Sequence, residues 1–142
     1  MKNATLIIIL SYLIISSLNI KNSFPQVKDT FEAWIDYSAN DTINGIYIPK
    51  DMEDCLKQLD SFWNDSIKSE IRKMSIKDFT GQAHFAIGMW IRNNWGLWVS
   101  SRLTKYFNSF GYIQPDDMSG AILELYYRKL SGEDIHLEKW RK

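Results

Sequence analysis

The sequence predicts an all-α fold, a single small domain of about five helices behind an N-terminal signal or anchor segment. Three observations predict it. Apolar residues recur at intervals of three and four from Met52 to Leu130. Helix punctuation falls between those runs, with Pro49 and Pro115 at candidate starts and Gly111 and Gly132 at candidate ends. A largely apolar stretch opens the chain, separated by polar residues from everything after it. With 142 residues there is room for one domain beyond that stretch, and 45% hydrophobic against 24% charged residues excludes a disordered chain.

Residues 1–23 read as a targeting segment. Lys2 supplies the positive start, and residues 4–20 are apolar apart from Thr5, Ser11, Ser16, Ser17 and Asn19. The core at 6–15 has the length of a signal-peptide apolar region and falls short of the ~20 residues of a full span. Export with cleavage near Ser17 or Ser23 is the expectation. An uncleaved anchor through residues 4–20 and a buried first helix are the alternatives. No cysteine follows the run, which excludes bacterial lipid anchoring. Residues 24–47 form a weakly structured lead-in. Phe31, Trp34, Ile35 and Ser38 fall at helical spacing, Asn40-Asp41 and Asn44-Gly45 signal turns, and Ile46, Tyr47 and Ile48 read as extended before Pro49.

The helical domain is expected over residues 48–142. Pro49 stands where a helix wants its first residue, with Asp51, Glu53 and Asp54 complementing the N-terminal dipole. Met52, Cys55, Leu56, Leu59, Phe62 and Trp63 form its apolar stripe, which places Cys55 inside. Asn64-Asp65 restarts a short helix bearing Ile67, Ile71 and Met74. Ser75, with Asp78 three residues on, opens a longer one to about Asn94. At 100° per residue, Phe79, Ala83, Ala86, Ile87, Met89, Trp90 and Ile91 share one arc, and His84, Gly88 and Arg92 lie opposite. Asn94, Trp95 and Gly96 end that helix, with the Asn93 and Asn94 amides holding the turn. Leu103, Tyr106, Phe107 and Phe110 make the next helix, stopped by Gly111. Pro115-Asp116-Asp117 starts the last, through Met118, Ala121, Ile122, Leu125, Tyr126 and Leu130 to Gly132. Its apolar arc also includes Leu123 and Tyr127, so it is expected to be buried on more than one side. Glu124 and Arg128 pair on its polar strip. The tail with His136 and Trp140 adds at most a turn or two.

Charge and cysteine count narrow the function. Lys plus Arg equals Asp plus Glu at 17 each, and removing Lys2 and Lys21 with the leader leaves a net of −2. That excludes nonspecific nucleic-acid binding, which needs a basic excess. One cysteine and two histidines offer no standard zinc spacing, no cofactor is expected, and a bound metal would have to use carboxylates. No nucleophile elbow, P-loop or dinucleotide fingerprint is present.

The distinctive stretch is GMWIRNNWGLW at residues 88–98, followed by Ser101-Arg102-Leu103 and Pro115-Asp116-Asp117-Met118-Ser119. These motifs resemble an uncharacterised bacterial domain family, one of the numbered families of unknown function, with the similarity running from about Ile48 to Leu137. The resemblance implies no activity. It does imply a histidine before Pro-Asp-Asp, where this chain has Gln114, which counts against a hydrolytic scheme needing an imidazole there.

The candidate binding residues are Arg92, Asn93, Asn94, Trp95, Trp98, Arg102, Asp116 and Asp117, with His84 nearby, and no residue is assigned a catalytic role. Structurally, Arg92 or Arg102 would pair with Asp116 or Asp117 and tie two helices, the aspartates also capping the last one. Functionally, a pocket between the Trp95–Trp98 loop and the last helix would stack a sugar or peptide on tryptophan and fix it by hydrogen bonds. The reading that follows is an exported binding or interaction domain, periplasmic or secreted, whose partner is a protein, peptide or glycan of the cell envelope. Only an uncleaved N-terminal segment would touch a membrane. The alternative is a hydrolase using Asp116 or Asp117 as base with Arg92 or Arg102 steadying an anion. Neighbouring side chains on a helix point about 100° apart, so Asp116 and Asp117 need not form an acid–base pair.

Overall fold

The computed structural model describes residues 35–135. The expected signal or anchor, Phe31 and Trp34 of the lead-in, and the tail with His136 and Trp140 lie outside the described residues. Five helices make up most of what is described, and two small sheets join them. The all-α expectation is therefore corrected to mostly helical.

Helix α1, Met52–Phe62, starts one residue after its cap. The Asp51 side chain accepts from the Asp54 amide at 2.9 Å, so the helix begins at Met52 and Pro49 lies ahead of it in extended chain. Proline there is consistent with either position, but the capping carboxylate decides which residue starts the helix. Met52, Cys55, Leu56 and Leu59 are buried as their spacing requires. Helix α2, Asp65–Arg72, is capped by Asn64 through the Ile67 amide at 3.0 Å.

Helix α3 runs unbroken over residues 76–94 but changes pitch on the way. Its first part, Ile76–Ala83, is α-helical and capped by Ser75, whose Oγ accepts from the Asp78 amide and donates to the Asp78 carboxylate at 2.7 Å. Residues His84–Gly88 then form a π turn, and Met89–Asn94 returns to α. A π turn holds one residue more than an α turn, so every side chain beyond it is displaced around the axis. That displacement accounts for a correction. Met89, placed on the apolar arc by a constant 100° step, is 47% exposed. The helix ends as its sequence predicts, at Trp95, with Gly96 at a φ of +67°. A Cβ on Gly96 would lie 2.9 Å from Ile43 Cδ1 and 3.0 Å from Ser101 Cβ. Glycine is therefore needed there for two reasons, the left-handed backbone and the lack of space.

Helix α4, Arg102–Ser109, is capped by Ser101 and closed by Gly111 at φ +89°. Helix α5, Pro115–Leu130, has Pro115 in its first turn with Asp116 and Asp117. It packs against α1, α2 and α3 and forms the centre of the domain. Met118, Ile122, Leu123, Leu125 and Tyr126 are fully buried, which bears out the expectation of burial on more than one side. Each such side chain contributes about 1.5–3 kcal/mol. Two long-range bonds fasten its far end: Arg72 Nε donates to the Leu130 carbonyl at 3.0 Å, and Tyr127 Oη donates to the Met74 carbonyl at 2.6 Å.

The sheets involve the residues just before α1. Strand β1, Asp36–Tyr37, pairs in parallel with β4, Ser100–Ser101. Strands β2, Thr42–Ile43, and β3, Ile46–Tyr47, form a hairpin turned by Asn44 and Gly45 at φ +51° and +78°. Two consecutive positive φ values are those of a type I′ turn, which the Asn-Gly pair favours. The helical spacing of Ile35 and Ser38 is overruled, since this part of the chain is strand and turn. Asp36 Oδ1 accepts from the Ser38 amide at 2.9 Å and from Ser100 Oγ at 3.0 Å, and these bonds compete with a helix.

Candidate functional site

The eight candidate residues do not converge on one pocket. They divide among an ion pair buried on its arginine side only, the core, a surface ridge and a second polar cluster.

The ion pair joins α3 to α5. Arg92 is 8% exposed, its Nε lies 3.2 Å from Asp116 Oδ1, and its Nη1 donates to Ser119 Oγ at 2.9 Å. Ser119, fully buried, donates its hydroxyl to the Asp116 carbonyl at 3.0 Å, so the group both accepts and donates a hydrogen bond. The room for the guanidinium comes from Gly88, where a Cβ would stand 3.3 Å from Arg92 Nη1 and 3.3 Å from Leu123 Cδ1. Opposite, the Asp116 side chain is 58% exposed and also faces His84, whose Nε2 lies 3.7 Å away. Serine, histidine and aspartate are the residue types of an acyl-transfer triad, but Ser119 bonds Arg92 and a carbonyl rather than His84. Nothing in the arrangement favours hydrolysis.

Trp95 belongs to the core. It is 2% exposed and meets Trp90 edge-on at 5.9 Å and Phe62 at 6.4 Å. A ligand cannot stack on it without opening the domain. Asn94 serves its own helix, donating from Nδ2 to the Trp90 carbonyl at 2.8 Å. Asn93 accepts from Trp98 Nε1 at 3.1 Å, which fixes the indole beside the end of α3 with 57% of Trp98 exposed. The two amides hold the turn in different ways, one inward and one across the surface.

That surface carries more than Trp98. Phe85 is 77% exposed and Met89 47%. They stand one turn apart on α3, and Asn93 with its docked indole follows one turn later. The result is an apolar ridge on the outer side of a helix whose inner side holds Ile87 and Ile91 at 2% and 0%. Phe85 also meets His84 edge-on at 4.9 Å. The sequence did hold a signal for this ridge, since Phe85 is a large apolar residue off the apolar arc. Met89 gave none, because the π turn moves it outward.

Arg102 takes no part with the aspartates. Its Nε donates to the Ile48 carbonyl at 2.7 Å, with a second bond from Nη2 to the same oxygen, and its guanidinium lies 4.9 Å from the Tyr47 ring centre. The expected Arg102–Asp116 or Arg102–Asp117 pairing is thus replaced by a tie from α4 to the chain entering α1. Tyr47 Oη in turn donates to Asp54 Oδ2 at 2.7 Å, and the Lys50 amide adds a bond at 3.1 Å. Burial pushes the Asp54 carboxyl up, but these donors outweigh it and hold the group below its ordinary value, and the same contact raises the Tyr47 hydroxyl. An open cleft beside them is lined by Tyr47, Lys50, Asp51, Glu53, Asp54 and Lys57. Its carboxylates are committed in part, Asp51 to the α1 cap and Asp54 to Tyr47. Asp117 is exposed in the first turn of α5.

Cys55 is wholly buried, and burial first of all pushes its thiol well above the ordinary range, so it holds no thiolate to act as a nucleophile or ligand. Among the described residues no group of three or more His, Cys, Asp or Glu could hold a metal ion. A cavity lined by Met52, Tyr106, Phe107, Phe110, Tyr112, Ala121 and Leu125 has about 10 Å³, at the threshold for one water. No helix among the described residues is long and apolar enough to cross a membrane.

A family model, described as a domain of unknown function (DUF6794), matches residues 48–130. Neither a curated protein nor a solved structure matches the chain.

Proposed function

This chain belongs to the DUF6794 family of domains of unknown function, a membership that carries no activity, and we propose that it is a small exported binding domain whose contact surface is the Phe85–Met89–Trp98 ridge. Its partner would be a protein, peptide or glycan of the cell envelope. One observation carries the reading: Phe85 and Met89 stand exposed on a helix whose inner side fills the core, and Trp98, in the turn beyond it, is exposed and bonded to Asn93 near the helix end. Aromatic side chains and methionine are the residues enriched at contact surfaces, because a few of them remove much area from water at small conformational cost. Trp98 is also pre-positioned. Its bond to Asn93 restricts the ring while most of the residue stays in solvent. Support for export comes from Lys2 and the apolar run at 6–15.

Two experiments test this. A fusion of residues 1–30 to a reporter active only outside the cytoplasm is expected to give signal, and an inactive reporter removes the envelope from the reading. The purified protein, screened against envelope glycans and the products of neighbouring genes, is expected to bind a member of one set. Phe85→Ala and Trp98→Ala should each weaken that binding roughly 10- to 100-fold. Binding that survives both substitutions places the contact surface elsewhere.

A further inference from the structure

We propose that Asn44 is a site of spontaneous covalent modification, at which attack by the Gly45 backbone nitrogen expels the side-chain amide as ammonia and leaves an isoaspartate. The turn so altered is the one that props the loop carrying Trp98. The modification itself is independent of the ridge, and only its consequence for binding rests on the contact-surface reading.

Sequence and turn geometry supply the conditions together. Of the chain's nine asparagines, Asn44 alone is followed by glycine. With no Cβ, Gly45 leaves its own nitrogen unhindered and free to swing toward the Asn44 carboxamide. Both residues are exposed at the tip of the β2–β3 hairpin. Asn64, Asn93 and Asn94 have their side-chain amides engaged in hydrogen bonds, whereas Asn44 serves through its backbone, at φ +51°. Ring closure requires that backbone to leave the left-handed region. The strands on either side are two residues each, and so short a hairpin opens locally at small cost.

The bonds balance without a cofactor or an oxidant. In the open turn the deprotonated Gly45 nitrogen attacks Asn44 Cγ, the Cγ–Nδ2 bond breaks and ammonia departs, closing a five-membered succinimide. Water then adds to one of its two carbonyls. Opening at Cγ gives aspartate on an unchanged main chain. Opening at the main-chain carbonyl gives isoaspartate, in which the chain runs through Cβ and Cγ and gains one carbon. Either way an amide and a water become a carboxylate and an ammonium ion.

The added carbon is what the turn cannot absorb. A two-residue type I′ loop matches the twist of its strands through two consecutive positive φ values, and the Ile43–Ile46 pair flanks it directly. Ile43 also reaches beyond the hairpin. Its Cδ1 lies against Gly96, 2.9 Å from where a Cβ would stand. The Gly96 carbonyl in turn holds the next loop, accepting from the Val99 amide at 3.4 Å and from Thr104 Oγ1 at 3.0 Å. Trp98 lies inside that loop. The base of the hairpin is closed separately, by the Ile48 amide on the Asp41 carbonyl at 2.9 Å. Conversion at Asn44 therefore loosens the tip and the Trp98 loop and leaves the base and α1 in place.

The test ages the full chain at mildly alkaline pH, which favours the deprotonated nitrogen, and follows it by peptide mass mapping and amide hydrogen exchange. Asn44 is expected to convert roughly tenfold or more faster than Asn108, which is exposed but precedes serine within α4. In the isoaspartate form the Ile46 and Val99 amides should exchange about tenfold faster, with those of Ile48 and Cys55 unchanged. Asn44→Asp carries the same new charge on an unlengthened chain, suits the turn, and should keep the parent's protection. Conversion of Asn44 no faster than that of Asn108 overturns the proposal. So does an isoaspartate form that keeps its protection at Ile46 and Val99, or an unaged Asn44→Asp protein that loses it. None of these measurements involves a ridge partner, so a failure here leaves the contact-surface reading standing.

Discussion

Arg92 shows how exposure on one side of a contact changes what that contact is worth. The guanidinium is enclosed, but the Asp116 carboxylate has 58% of its side chain in solvent. Arg92→Ala therefore returns Asp116 to water and does not strand it. The loss is confined to the bond to Ser119 and the packing of the arginine stem, about 1–3 kcal/mol, below the 3–5 kcal/mol of a fully buried pair. Urea unfolding of Arg92→Ala measures it, and a loss above 4 kcal/mol would show the aspartate to be stranded after all. The glycines make a sharper pair. Gly96→Ala meets a left-handed backbone and a side chain at 2.9 Å, and is expected to cost about 2–3 kcal/mol. Gly81→Ala meets neither and should stabilise the fold by up to about 1 kcal/mol. Equal melting temperatures for the two would contradict the difference in their surroundings. The need for glycine at residue 96 was legible as a helix stop. That residue 81 needs no glycine for folding is visible only once its neighbours are known.

Among the elements, the helices were legible and the short strands only in part. Caps at Asn64 and Ser75, the stops at Gly111 and Gly132, and the Glu124–Arg128 pair, 3.0 Å apart, all act within a few residues of chain. Local signals of that kind survive in a sequence read alone. The Asn44-Gly45 hairpin is equally local and was anticipated as turn and extended chain. Pairing of β1 with β4 is different, because Asp36 and Ser100 are 64 residues apart and each strand is two residues long. The π turn is hidden for another reason. It leaves composition and helical propensity unchanged while breaking the constant angular step on which the apolar arc was drawn. At the β1–β4 contact, Asp36 is held below the ordinary carboxylate range, first by the Ser38 hydroxyl and amide, then by Lys105 and Ser100. Its folded-state pKa is lowered, so the contact is complete above the unfolded value near 4 and weakens as pH falls through the lower, folded one. Being exposed, the group should affect the strand pair and hardly the global fold. An NMR titration following the Asp36 carboxyl and the Ser38 amide checks this, and an ordinary carboxylate midpoint near 4 would refute it.

At the scale of the molecule, the enclosure of α5 by α1, α2 and α3 predicts a cooperative unit. Cys55 reports on it, being at 0% exposure on the inner side of α1. A thiol reagent should leave native protein unlabelled and react at a rate that rises with denaturant in step with global unfolding. Fast labelling without denaturant would show that α1 opens by itself. Of the two readings open from the sequence, a helix-joining polar tie and a binding pocket, the residues do not gather into one pocket, because Trp95 packs inward while Asn93 holds Trp98 outward, three residues away. Charge and aromatic content are the same for either placement, so the motif named the residues without saying which side each faces. The opposite placement of these two indoles has an optical consequence. Trp63 and Trp95 are 5% and 2% exposed, whereas Trp98 is 57% exposed. Among the six tryptophans of the chain, the Trp98 signal is isolated as the difference between the parent and Trp98→Phe; a water-borne quencher such as iodide should extinguish that long-wavelength difference and spare the blue emission of Trp63 and Trp95. Whatever settles on α3 would then restore that light, so the protein carries its own unlabelled gauge of whether the ridge is covered.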